Sequence, residues 1–148
     1  MSKMDFTPLF PAGFHNLDWQ KLVELCVDPF PTSTRRPKLC AQLNDFISEL
    51  RAMGLLGKLW IDGSFVTEKM EPGDVDVVFV PDPLCKNEFT ANLSRIDALF
   101  HRQEAKAKYN CHAFIVNPNS ADSLAYWRGL FGFCHDTVTP KGLVVLSL

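Results

Sequence analysis

The sequence predicts an α/β (α+β) fold, a mixed sheet of about four strands with helices packed against it, and three observations carry that prediction. One long segment repeats apolar residues at three- and four-residue spacing, as a helix with one buried face does. Four short apolar segments, at 58–62, 74–80, 109–116 and 142–148, have strand length and are bounded by turn-forming residues. Hydrophobic residues make up 47% of the 148 positions and charged residues 22%, enough to fill one core and far from the profile of a disordered chain.

Residues 1–33 read as an irregular N-terminal arm, because four prolines fall between Pro8 and Pro31, with one short helix at 17–26. Residues 34–148 form the remainder of what is a single domain overall. Thr34 can cap a helix with Pro37 in its first turn; Leu39, Leu43, Phe46, Ile47, Leu50 and Met53 follow as its stripe, and Gly54 and Gly57 end it. The strand at 58–62 leads through Gly63-Ser64 and the Pro72-Gly73 turn to the strand at 74–80. Past Pro81-Asp82-Pro83, Phe89, Leu93, Ile96 and Phe100 predict one amphipathic helix over 88–102, before the strand at 109–116. A turn at 117–120 precedes a third helix, capped by Ser120 or Asp122, that runs to about 130 and is closed by Phe131-Gly132-Phe133. The Leu- and Val-rich 142–148 is the last strand. Trp127 and Phe131 read as core, and the pair Arg35-Arg36 as solvated charge.

Fifteen Lys and Arg against seventeen Asp and Glu give a net charge of −2, so no global field draws the chain to nucleic acid or an anionic membrane. No apolar run approaches the ~20 residues that cross a bilayer, and residues 1–5 lack the apolar stretch of a signal peptide; a cytoplasmic protein without membrane contact is the expectation. Five cysteines, at 26, 40, 85, 111 and 134, form no disulfide or zinc-ribbon pattern. Cys111-His112 and Cys134-His135 are adjacent pairs, and neighbours in a strand point to opposite faces rather than at one ion.

The chemistry concentrates in 59–80, LWIDGSFVTEKMEPGDVDVVFV. Asp74 and Asp76 lie two apart on a predicted strand and so project from one face, while Val75, Val77 and Phe79 point into the core. Two carboxylates that close repel unless a cation sits between them, and oxygen ligands on a rigid strand suit Mg²⁺ or Mn²⁺ with phosphate oxygens completing the shell. Gly63 lets backbone approach a ligand, and the Ser64 N–H and hydroxyl can donate to phosphate, as befits a polyphosphate cradle. Lys69, Arg128 and Lys141 are the cations placed to meet a triphosphate.

A hydrophobic strand, Gly63-Ser64, a spacer of nine residues, and Asp74-Val75-Asp76 flanked by hydrophobics resemble the signature of the polymerase-β-type nucleotidyltransferase superfamily. A narrower resemblance, carried by residues 9–15, 62–67, 127–133 and 140–142, is to short, uncharacterised bacterial and phage nucleotidyltransferase-like proteins. The resemblance implies a minimal nucleotidyltransferase fold without a further substrate-binding domain. It also implies a connection to toxin–antitoxin or phage-defence biology.

The implied activity is Mg²⁺- or Mn²⁺-dependent transfer of a nucleoside monophosphate from an NTP to a hydroxyl on a protein, an RNA end or a small molecule. Asp74 and Asp76 would hold the metal; Gly63 and Ser64 would cradle the phosphates. The superfamily expects a third carboxylate on a neighbouring strand, yet 109–116 contains no Asp or Glu. His112 can stand in as base or ligand, and Asp62 is another candidate. The alternative function is a catalytically degenerate module that binds nucleotide or a cognate partner protein. Weak basicity disfavours an extended RNA footprint.

Overall fold

The computed structural model describes residues 6–116 and 142–148. The sheet is mixed and, among the described residues, five-stranded rather than four-stranded, in the order β1-β5-β2-β3-β4. Its strands are β1 (Gly13–Asn16), β2 (Gly57–Asp62), β3 (Val75–Pro81), β4 (Cys111–Ile115) and β5 (Gly142–Ser147). β2 runs antiparallel to both β3 and β5, whereas β1 is parallel to β5 and β4 is parallel to β3. The fifth strand is β1, which comes from the segment expected to be an irregular arm. Its four residues show no buried alternation, and its pairing partner lies at the opposite end of the chain, so no local pattern announces it.

Before β2, the chain also forms α1 (Trp19–Cys26), opened by the Asp18 side chain accepting from the Lys21 N–H at 2.7 Å. Then α2 (Arg35–Ala52) follows, and its stripe Leu39, Leu43, Phe46, Ile47, Leu50 is buried as the spacing requires. Thr34 does not cap α2 with its side chain. Ser33 does, its hydroxyl accepting from the Arg36 N–H at 3.1 Å, while Glu71 accepts from both the Thr34 N–H and its hydroxyl. At the other end the Leu55 N–H reaches back to the Leu50 carbonyl across Gly54, whose φ is +74°.

The single helix expected at 88–102 is instead α3 (Lys86–Ala91), α4 (Leu93–Phe100) and α5 (Arg102–Tyr109). Asn92 causes the first break: its amide donates to the Glu88 carbonyl at 2.7 Å and its backbone leaves helical geometry. His101, at φ −63° and ψ 127°, makes the second, and Asn110 ends α5 in the left-handed region.

Sheet alternation sorts the core. Leu59, Ile61, Val75, Val77, Phe79, Cys111, Ala113, Val144 and Leu146 join α2, α4 and α5 in the main cluster, and Trp60, Val78, Val116, Leu143 and Val145 form a smaller one on the other face. Cys111 and His112 accordingly lie on opposite faces. The expected third helix, with Trp127 and Phe131, falls outside the described residues.

Candidate active site

β2 ends at Asp62 and Gly63 turns the chain at φ +83°, a conformation open to glycine and strained for other residues. A β-carbon at Gly63 would stand 2.7 Å from Asp76 Oδ2, so the carboxylate of Asp76 rests directly against this glycine. The register explains the contact. Asp62 pairs with Asp76 across β2 and β3, and Asp76 pairs with His112 across β3 and β4. The three side chains form one row on the sheet face opposite α2, with Asp76 in the middle.

Within that row, burial differs. Asp62 is 2% exposed, and the Asp76 and His112 side chains are partly open, with His112 Nδ1 3.7 Å from Asp76 Oδ1. The His112 ring also packs on Phe114, centroids 4.5 Å apart. Asp74 lies one residue before β3, where Lys106 Nζ of α5 donates to its Oδ2 at 2.8 Å. Both carboxylates reach the neighbourhood of the Cys111 thiol. Burial first, then the charges of Asp74 and Asp76, push that thiol up to about 12.

The turn after Gly63 is held by a group that was expected to be solvated. Arg36 is fully buried, and its guanidinium donates to the carbonyls of Cys26, Ser64, Phe65, Thr67 and Lys69. It stacks on the Phe30 ring at 3.7 Å, and burial pulls its pKa down to about 10. Arg35 donates to the Pro72 and Gly73 carbonyls, and the arm closes the same loop by hydrogen bonds from the Leu9 N–H to Val66 and from the Glu68 N–H to Thr7. The first turn of α2 and the arm therefore set the position of Gly63, Ser64 and Asp74. The signal for Arg36 was present in the sequence, since it begins the stripe that continues as Cys40, Leu43, Ile47 and Leu50. For Lys106 no signal existed, because its helix was not predicted.

The expected residues thus separate into groups. Gly63, Asp76 and His112 meet, Ser64 follows in a 3₁₀ turn (Ser64–Val66), and Asp74 flanks them. Lys69 contributes its carbonyl to Arg36 while its ammonium sits 5.5 Å from the Phe6 ring, not on the carboxylates. Arg128 and Lys141 lie outside the described residues.

Among the described residues no three His, Cys, Asp or Glu side chains converge as a metal centre. That donor set does not suit an ion caged by protein alone. Carboxylate oxygens such as those of Asp74 and Asp76 are the donor type that Mg²⁺ or Mn²⁺ takes alongside water and phosphate oxygens.

Fold and site together define a small mixed α/β domain with a carboxylate and imidazole row on the sheet face opposite α2, next to a glycine turn. The chain belongs to a family of unknown function, DUF6932, which spans residues 3–147. Neither the curated proteins nor the solved structures yield a match.

Proposed function

We propose that the chain is a minimal nucleotidyltransferase of the polymerase-β type, moving a nucleoside monophosphate from an NTP to a hydroxyl acceptor. The observation that carries this reading is the Asp62-Asp76-His112 row abutting Gly63, with Asp74 two residues before Asp76. Asp74 and Asp76 would hold the divalent ion, which when bound supplies positive charge to the phosphates as charge develops. The Gly63-Ser64 turn would bring backbone N–H groups and a hydroxyl to the phosphate chain. His112 would accept the acceptor's proton. As the hydroxyl oxygen bonds to the α-phosphorus, the bond to the oxygen bridging α and β phosphorus breaks and pyrophosphate leaves. His112 stands on β4 beside Asp76, the resemblance calls for a carboxylate on this neighbouring strand, and an imidazole is a group of the kind that can serve as base there.

The test is incubation with labelled NTPs and Mg²⁺ or Mn²⁺, comparing the full chain with Asp74→Asn and Asp76→Asn. Label transfer or pyrophosphate release lost in both variants supports the reading; release unchanged in both rejects it. A second reading draws on the same His112 substitution: a degenerate module that binds nucleotide or a cognate partner protein without turnover. Saturable nucleotide binding with no pyrophosphate release would favour it.

A further inference from the structure

We propose that Lys106 is a phosphate-binding residue of this site. The inference rests on the nucleotidyltransferase reading and names a cation for it among the described residues. In the free protein the Lys106 ammonium lies 2.8 Å from Asp74 Oδ2, and both side chains are about half or one-third exposed, at 52% and 35%. An ion pair this open is worth only ~0–1 kcal/mol, so it exchanges readily. Were Asp74 to hold a divalent ion brought with a nucleotide, Lys106 would release it, and its ammonium, on a flexible four-carbon stem, would be free to donate to a phosphate oxygen nearby.

The other described cations near the turn are committed elsewhere. Arg35 and Arg36 are bound to loop carbonyls, and the Lys69 ammonium faces the Phe6 ring. Lys106 also comes from a different element, the last turn of α5, whose following residues lead through Asn110 into β4. The Asn110 carbonyl accepts the Val75 N–H at 3.0 Å, which ties the lysine's helix end to the strand that bears Asp76. Lys106 thus reaches Asp74 from α5, an element separate from the Gly63 turn.

The experiment is displacement of a fluorescent non-hydrolysable NTP analogue from the full chain in Mn²⁺, using inorganic tripolyphosphate and a nucleoside monophosphate as competitors. Wild type, Lys106→Met and Lys106→Arg are compared, with thermal denaturation as a check on folding. Lys106→Met should raise the half-displacing tripolyphosphate concentration about tenfold, the scale of one charge-assisted phosphate contact, and leave the monophosphate value unchanged. Lys106→Arg should restore most of the loss. Equal weakening of both competitors, or no change with tripolyphosphate, would overturn the assignment while the nucleotidyltransferase reading stands. Failure of the wild type to bind the analogue in Mn²⁺ would bring down both.

Discussion

Replacing Arg36 by methionine removes the guanidinium while keeping an unbranched side chain against Phe30. Four of its acceptors lie at 2.6–2.7 Å, the carbonyls of Cys26, Phe65, Thr67 and Lys69, and each loses a donor. An acceptor stranded on loss of its partner costs about 1–3 kcal/mol. At the lower bound of that range, four groups give about 4 kcal/mol. Total stability for a chain of this length is about 7–22 kcal/mol at 0.05–0.15 kcal/mol per residue, so the variant should still fold. Urea denaturation followed by tryptophan fluorescence is the assay. At a slope of about 2 kcal/mol per molar, the midpoint should fall by about 2 M. Lysine at the same position should recover only part, since one ammonium cannot fork between carbonyls on both sides of the turn. A midpoint within about 0.3 M of wild type in Arg36→Met would refute the idea that this side chain organises the loop.

Two further outcomes follow from the same geometry. Gly63→Ala places a methyl 2.7 Å from Asp76 Oδ2 at a φ of +83°, a conformation costing ~1–2 kcal/mol for a non-glycine residue before the contact is counted. Calorimetry should show destabilisation of about that size or more together with loss of Mn²⁺-dependent nucleotide binding, and unimpaired binding would contradict the close packing. Glu71 is held below the ordinary carboxylate range by hydrogen bonds from the Ser33 hydroxyl, then the Thr34 hydroxyl, with smaller help from the Thr34 and Arg35 backbone. Its folded-state pKa is depressed, so its contribution is present above the ordinary glutamate value of about 4.3 and is lost as pH falls through the lower, folded value. Glu71→Gln should therefore flatten the acid side of the stability profile and leave the neutral-to-alkaline side parallel to wild type. An unchanged acid limb in pH-dependent urea melts would show that the contact is not formed in solution.

Elements whose information is local were legible. The α2 stripe and the alternation of Val75, Val77 and Phe79 each sit within one segment, so their buried faces follow from periodicity. What depends on a distant partner was not. β1 exists because Gly13–Asn16 meets Gly142–Val145, and nothing in four largely exposed residues forecasts that pairing. The division between α3, α4 and α5 comes from an Asn92 side-chain hydrogen bond and an extended His101, not from Gly or Pro, so the apolar spacing of Phe89, Leu93, Ile96 and Phe100 ran through both breaks. Reading Arg35-Arg36 as solvated relied on composition, whereas position on the apolar stripe decides the fate of Arg36.

At the site, the sequence makes Asp74 and Asp76 look like an equivalent pair, and the structure makes them unequal. Asp76 is inside β3, flanked by Asp62 and His112 and backed by the Gly63 turn, so its direction is set by backbone hydrogen bonding on both sides. Asp74 precedes the strand, between the Gly73 carbonyl held by Arg35 and the β3 ladder, and its carboxylate answers to Lys106 on a separate helix. A carboxylate fixed by a sheet holds its geometry whether or not a ligand is present. One fixed by an open ion pair can change partner at little cost. Asp76 is thereby suited to be the constant point of the site and Asp74 the exchangeable one, and Lys106 is the group whose partner would change with it.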